Sequence, residues 1–402
     1  MTAGLPPPRG AQDPPATAEV VVIGAGLVGA ACAHALAAAG RDVCVIDRAG
    51  PIAGTTAGGE GNILVSDKVP GPEAVLALRS ARLWQELADR AGGRFEFERK
   101  GGVVVAHDDE QLAALRALAR AQRDGGVDAE LLDGPGLRAA EPHISPGLPG
   151  GVFYPRDCQV QPMLAAAWLL DEASRLGAHL AWGADVLGGD VLAGQGDGRI
   201  IAVQTSRGRI AAGAVVNAAG PWSGLVAERL GGRLPIRPRR GHILVTEPLP
   251  PLIGHKVYES DYVTTVMSDS DDVACSAVVE GTRAGTVLIG SSREFAGFDR
   301  RPSLRVLAAM AARATAIFPF LAGVRVLRSY VGFRPASPDH LPIIGPDAAV
   351  SGLFHASGHE GAGIGLAPAT AELVTALLAG SAPPVDPAPF APARLAAFEG
   401  LG

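Results

Sequence analysis

The first regular pattern in the chain is Val20–Ile23, four apolar residues bounded by Glu19 and Gly24. A run apolar at every position predicts a strand buried on both faces. Gly24-Ala25-Gly26 turns the chain, and Leu27 to Ala39 reads as an Ala-rich helix ended by Gly40. Val43 to Ile46 repeats the buried-strand pattern before Asp47. This βαβ start implies a parallel sheet. A Gly/Thr-rich loop follows from Gly54 to Asn62, then a long helix from Glu73 to about Ala91. After Arg94 the texture changes. Phe95 to Ala106 reads as strands, Glu110 to Arg123 as a surface helix, and Pro142 to Gly151 is rich in Pro and Gly. Pro162 opens a second helix, which Gly177 ends. Val186 to Ile210 alternates short strands with turns such as Gly196-Asp197-Gly198. Ala214 to Val216 is another buried strand and runs into Asn217-Ala218-Ala219-Gly220. Pro235 to Arg328 is mainly β, with a helix near Ser303 to Ile317. The last segment returns to strand, glycine turn and a helix through Leu378.

Strand–helix units at both ends and in the middle, separated by two β-rich insertions, predict interleaved domains. The fold class is α/β: a Rossmann-like dinucleotide-binding domain (19–94, 152–233 and 329–385) interleaved with a mainly antiparallel β domain (95–151 and 234–328) that holds the substrate. Residues 1–18 read as a disordered tail and 386–402 as a C-terminal tail. The opening 18 residues are rich in Pro and Ala and lack an apolar signal core.

Composition narrows the function. Of 402 residues, 48% are hydrophobic and 19% charged, which excludes a wholly disordered chain. A formal charge of −6 argues against nucleic acid as a partner. Lysine occurs only as Lys68, Lys100 and Lys256; the scattered arginines that replace it read as genomic base composition. Cys32, Cys44, Cys158 and Cys275 form no CxxC pair, which points to a cytoplasmic protein. Cys32 and Cys44 sit in apolar runs as small buried hydrophobes. No run of 18 apolar residues free of Gly and charge occurs, so no membrane span is expected.

The chemistry begins at Gly24-x-Gly26-x-x-Gly29. A pyrophosphate needs close backbone approach, which a Cβ blocks. Gly24 permits the tight turn, Gly26 lets the phosphates approach, and Gly29 lets helix and strand pack. The helix start offers free N–H groups and a partial positive charge. Asp47 ends the next strand, where a carboxylate can accept hydrogen bonds from ribose hydroxyls. Together these features point to a dinucleotide. No second GxGxxG is present, since Gly361-Ala362-Gly363-Ile364-Gly365 has the wrong spacing. One cofactor that stays bound and is reduced by substrate directly fits a single site.

The stretch VVIGAGLVGAACAHALAAAGRDVCVIDR, the loop GTTAGGEGN, the segment GAVVNAAGPWS and the pair VGFRPASPDHLPIIG and GHEGAGIGLAPAT resemble, in order and spacing, the FAD-dependent amino-acid oxidoreductases. That family includes D-amino acid oxidase, glycine oxidase and sarcosine oxidase. Within it, GTVLIGSSREFAGFD and the last motif look most like opine oxidase, hydroxyproline dehydrogenase and cyanide-forming glycine dehydrogenase subunits. The resemblance implies a glutathione-reductase-like FAD domain. Leu27, Val28, Arg48, Asn62 and Trp222 join Gly24, Gly26, Gly29 and Asp47 as implied FAD contacts. Thr55, Thr56, Gly58 and Gly59 line the pyrophosphate and flavin edge, Val186 offers its backbone to the adenine, and Ala218 to Gly220 pass close by. Arg334 grips the substrate carboxylate with a bidentate fork; the alternative for it is a salt bridge, to Asp339 for instance. Gly358, His359, Gly361, Gly363 and Ile364 face the pyrimidine edge, where a helix start suits negative charge. Pro368 is tolerated in a first helical turn. Tyr258 and Tyr262 are candidates to help hold the carboxylate, or ordinary residues of the β domain. His242 stands where many relatives have Gln, and Glu60 faces either the active site or solvent.

Neither loop supplies the Cys or His that covalent attachment uses, so the FAD is expected to be non-covalent. His355 and His359 have a chelating spacing but no third ligand, so no metal is expected. The implied reaction is hydride transfer from the carbon bearing the amine of a small amino or imino acid, giving an imine. O₂ is one electron acceptor; an electron-accepting partner protein or quinone is the other, and homo- or hetero-oligomers are both open. A non-catalytic FAD-binding subunit and an NAD-binding protein are the rival readings.

Overall fold

A computed structural model of the protein describes residues 12–192, 198–262 and 272–398. Val20–Ile23 lies in the strand Thr17–Ile23, at the centre of the first sheet. Gly208–Asn217 and Val43–Asp47 flank it, both parallel. His179–Trp182 and Leu353–Ser357 continue the parallel order outward, and Ile343–Pro346 closes one edge antiparallel. Val21 and Val22 are fully buried, as a run with no polar positions requires. The helix Leu27–Ala38 packs against the helices Pro162–Arg175 and Gly363–Ala379. It is buried nearly all round, and Ala30, Ala33 and Ala37 let these neighbours approach closely. Cys32 and Cys44 are buried thiols, both pushed up to about 12 by desolvation.

The second sheet has eight strands in the order Val326–Ala336, Arg237–Thr246, Val287–Arg293, Ala274–Gly281, Lys256–Glu259, Gly102–Ala106, Gly150–Tyr154 and Glu130–Asp133. Pairing is antiparallel except where Lys256–Glu259 meets Gly102–Ala106. The helix Leu304–Ile317 buries Val306, Leu307, Met310, Ala314 and Ile317 against this sheet.

Several expectations shift. Gly150–Tyr154 and Val326–Ala336 both belong to the second sheet, so cuts at 152 and 329 run through its strands. Of Phe95–Ala106, only Gly102–Ala106 is a strand. The opening tail is docked before Glu19: Gln12 N–H donates to Leu180 O at 3.0 Å, and Asp13 pairs with Arg207 at 2.5 Å. The earlier residues lie outside the described ones, as does part of the Gly196-Asp197-Gly198 turn. The end of the chain is docked as well. Phe390 is buried, and Arg394 makes two hydrogen bonds to Asp339 at 2.6 and 3.0 Å.

Pro368 sits inside the helix Gly363–Ala379, past its first turn. It cannot donate to the Ile364 carbonyl one turn back. Trp84 Nε1 supplies that donor at 3.1 Å, and Ser80 Oγ donates to Gly365 O at 2.6 Å. The stretch Glu360–Ala379 is long and apolar enough to cross a membrane, with mean hydropathy 1.5, but half of it is buried inside the protein. Its apolarity is that of a core helix packed against Leu27–Ala38 and Pro72–Ala91.

A buried acid ties the two halves together. Asp157 Oδ1 accepts the Val65 N–H at 2.8 Å and the Ser66 N–H at 3.3 Å, Ser66 Oγ donates to Oδ2, and the Tyr258 hydroxyl donates to Ser66 Oγ. Burial pushes the Asp157 carboxyl up to about 7 despite these bonds. A folded pKa above the unfolded value means the protonated acid is the stabilised form. Its contribution is complete below about pH 4 and is lost as pH rises through about 7. Asp157→Asn should therefore melt at or above the wild-type temperature at pH 8, and the difference should shrink at pH 5. Thermal unfolding at the two pH values checks this; a variant that melts lower at pH 8 and equals wild type at pH 5 contradicts it.

Candidate functional site

A cleft of about 1740 Å³, counting its open mouth, runs along the carboxyl ends of the parallel strands. That is where an open α/β sheet places a nucleotide. The three strands at the centre of the sheet end at Ile23, Asp47 and Asn217, and the turn after each, at Gly24, Arg48 and Ala218, joins the lining. Gly24 has φ +107°, and a Cβ there would come within 2.5 Å of Ala218 O. A Cβ on Gly29 would meet Gly24 O at 1.9 Å. Gly29 therefore packs the crossing of helix and turn and does not line the cleft. Gly26 N-caps the helix with no side chain of its own, and Thr56 Oγ1 accepts the Leu27 N–H at 2.9 Å. Leu27 and Val28 line the same end.

Asp47 is busier than a ribose ligand alone. Its oxygens accept N–H groups of Ala25 at 2.9 Å, Ala49 at 2.9 Å and Gly50 at 3.2 Å. A carboxylate has about four acceptor positions, so about one remains for a ribose hydroxyl. Val186 lines the cleft with its carbonyl already taken by Arg229 Nη1. Arg48 stacks on Trp222 at 4.2 Å, and Trp222 stacks on Phe298 at 5.2 Å. Gly220, Gly59 and Asn62 are in the lining. The bare backbone cradle, the helix start and the acid match a pyrophosphate with its ribose, so these residues fit an FAD.

Gly58 lies outside the lining. It presses on Gly332: a Cβ on Gly332 would come within 2.3 Å of Gly58 O. Thr55 Oγ1 donates to Phe333 O at 2.6 Å, and the Tyr330 hydroxyl donates to Gly59 O at 3.1 Å. The loop is thus clamped along the strand Val326–Ala336, which carries Arg334 into the cleft.

Arg334 is partly buried, and desolvation, then the nearby Arg293, bring its guanidinium down to about 10. It stays charged at neutral pH. Its Nη1 donates to Ser292 O at 2.8 Å. Among the described residues no carboxylate lies within 4 Å of it. Asp339, the salt-bridge alternative, is held by Arg394. Behind Arg334 sit two more buried arginines. Arg239 Nη1 donates to Glu360 Oε1 at 2.9 Å, and Arg293 Nε lies 3.5 Å from the same oxygen. Burial opposes the Glu360 charge, but Arg293, Arg239 and Arg334 hold its carboxyl below the usual range. Glu360 has φ +45°, a strained conformation for a residue with a Cβ.

Two of the four expected catalytic residues have other work. Tyr258 is outside the cleft, in the Asp157 network. His359 lines the cleft, but its Nε2 pairs with Thr370 Oγ1 at 2.9 Å and burial holds the imidazole down at about 3, so it stays neutral. Tyr262 is in the lining, with Arg293 4.6 Å from its ring centroid. Gly361, Gly363 and Ile364 line the cleft, whereas Gly358 packs on Ile343. His355 bonds Asp347 at 2.8 Å, away from His359's partner. His242 is fully buried and links Ser292 Oγ at 2.9 Å to the Ser303 N–H at 3.1 Å. Sequence reasoning missed Glu360, Arg239 and Arg293. Glu360 had one signal, a lone charge in a run of small residues.

The match to known proteins follows the same span. The chain belongs to the FAD dependent oxidoreductase (DAO) family, whose model matches residues 19–377. It is 31% identical over 389 residues to a glycine oxidase from Pseudomonas putida, covering 93% of this chain and 98% of that one. It is 30% identical over 420 residues to the hydrogen cyanide synthase subunit HcnC of Pseudomonas aeruginosa, covering 94% and 96%. Among solved structures, glycine oxidase from Geobacillus kaustophilus aligns with TM-score 0.83 at 26% identity over 94% of this chain and 98% of that one. An L-proline dehydrogenase from P. horikoshii aligns with TM-score 0.86 at 26% identity over 96% and 99%.

Gly241 tests the arginine's placement. A Cβ there would fall 2.4 Å from Arg334 Nη1 and 2.8 Å from Ser292 O. Gly241→Ala should push the guanidinium aside and weaken binding of a small carboxylate such as isobutyrate about tenfold, the scale of one charged hydrogen bond. Calorimetric titration measures it; an unchanged constant would mean Arg334 is not the anion anchor.

Proposed function

We propose that the protein oxidises the C–N bond of a small amino or imino acid to an imine, with non-covalently held FAD and with O₂ as acceptor. One observation carries the reading: a partly buried, charged guanidinium lines the cleft, and among the described residues no carboxylate pairs with it directly. An uncompensated buried charge is costly, so the site is built for an anionic ligand. A carboxylate held bidentately at Arg334 fixes the substrate's orientation. FAD, when bound, supplies the acceptor for the hydride that leaves the carbon beside nitrogen. The chain's part is to seat the carboxylate, to close off water with Tyr262 and the Gly361–Ile364 turn, and to keep Glu360 charged among its arginines. Glycine, sarcosine, proline derivatives, D-amino acids and opines all present a carboxylate next to an oxidisable C–N bond.

A second acceptor is favoured by one comparison. The relative HcnC is named as a subunit of hydrogen cyanide synthase. That supports a dehydrogenase passing electrons to a partner protein.

The purified protein should be yellow, and anaerobic titration with those compounds should bleach it with at least one. Prompt reoxidation in air with peroxide supports the oxidase; slow reoxidation in air but fast reoxidation by a dye supports the partner. Arg334→Ala should raise the apparent KM of the active compound ten- to a hundredfold, about 1.5–3 kcal/mol. A colourless protein that refuses added FAD, or an unaltered KM, defeats the proposal.

A further inference from the structure

Arg334 accounts for one end of an amino acid; the cleft holds a second buried charge that suits the other end. Glu60 lies on the loop clamped to the strand of Arg334, lines the same cleft and is 8% exposed. Its Oε2 accepts from Asn62 Nδ2 at 3.0 Å. Its Oε1 is shut from solvent and makes no hydrogen bond. Room for the carboxylate is made by Gly290, where a Cβ would come within 2.3 Å of Oε1. A carboxylate so placed has spare acceptor capacity inside a chamber that admits ligand.

The charged and titratable groups around it do not use that capacity. Lys256 and Glu280 act on Glu60 with opposite signs but are paired with each other, both 1% exposed. The Tyr330 hydroxyl is spent on Gly59 O. Arg334 acts on Glu60 through its field, and Glu60 acts on Arg334 in return. Among the described residues neither Arg334 nor Glu60 has a direct ion-pair partner, so the cleft lining offers a cation and an anion, the complement of a zwitterion.

We propose that Glu60 is the amine-side catalytic residue: its carboxylate takes the hydrogen bond, and then the proton, of the substrate ammonium whose carboxylate Arg334 holds. This rests on the amino-acid reading above. The step is a proton transfer alone. One N–H bond breaks, one O–H bond forms on a Glu60 oxygen, and the nitrogen regains its lone pair, ready to drive loss of the neighbouring hydride. Burial raises the Glu60 carboxyl above its ordinary range, which brings it nearer to the pKa a proton acceptor needs at neutral pH.

The test uses the full-length, FAD-loaded protein and two probes, α-aminoisobutyrate and isobutyrate, titrated by calorimetry at pH 8. The first has no hydrogen on the carbon bearing nitrogen, so it binds without turnover; the second lacks only the ammonium. Wild type should prefer α-aminoisobutyrate by about tenfold or more. Glu60→Gln should cut that preference to less than about threefold by weakening α-aminoisobutyrate alone, and Glu60→Asp should retain part of it. In wild type the preference should also fall as pH is lowered, and at a pH above the ordinary carboxylate range, because burial raises the Glu60 carboxyl. Glu60→Gln removes a buried charge, so its melting temperature at pH 8 should not drop; if it does, the Asp variant and the wild-type pH profile decide. A preference kept in Glu60→Gln, absent from wild type, or lost equally for both probes overturns the proposal. Failure of the amino-acid reading looks different: isobutyrate binding would then survive Arg334→Ala.

Discussion

The site depends on one close crossing of two backbones. Gly58, in the loop after the second strand, and Gly332, in the last strand of the second sheet, touch with no room for a side chain on either. On each side of that contact a hydrogen bond fixes the register, Thr55 to Phe333 and Tyr330 to Gly59. Successive side chains of a strand alternate faces, so locking Gly332 against the loop also decides which way Arg334 points. The glycine cradle for a pyrophosphate and the anchor for a carboxylate are thereby held in one cleft.

Charge inside this molecule is concentrated, not scattered. Arg239, Arg293 and Arg334 converge on Glu360, and a second group joins Glu60 to the buried pair Lys256 and Glu280. Burying ions is unfavourable unless partners are close, and among the described residues two of these groups, Arg334 and Glu60, have no direct ion-pair partner. Such departures from local economy are expected where a ligand completes the structure. The three lysines of the chain refine the compositional reading. All three have side chains at most 14% exposed and carry ion pairs, Lys68 with Asp67 and Glu73, Lys100 with Glu98, and Lys256 with Glu280. Surface cations tolerate an exchange for arginine; a compact ammonium in a tight space does not.

Much of the site was legible because its demands are local. A turn that must admit phosphate needs Gly24, Gly26 and Gly29 at fixed spacing, and a strand apolar on both faces announces itself. Arg334 was legible through its motif. Glu360 and Glu60 were not given roles, because a lone acid among glycines looks the same whether it faces solvent or three arginines. Tyr258 and His359 failed in the opposite direction. Both are residue types that carry chemistry, but Tyr258 completes the Asp157 network and His359 ties the final helix to itself through Thr370. The fate of a polar side chain is set by neighbours far away in sequence, which periodicity does not reveal.

The sequence by itself determined the βαβ opening, the glycine turn, the interleaving of two sheets and the class of cofactor, since each follows from short-range pattern and backbone sterics. Only the tertiary structure decided which charges lack partners among the described residues, where the sheets divide, and that the chain is docked from Gln12 and again around Phe390 and Arg394. Strand Val326–Ala336 looked like part of the nucleotide half because the chain runs from it into the last βα unit. Its hydrogen bonds run instead to Arg237–Thr246, 80 to 99 positions away in register. Pairing across such distances depends on the whole chain being folded, and so does the burial that brings a guanidinium and a carboxylate into one cleft.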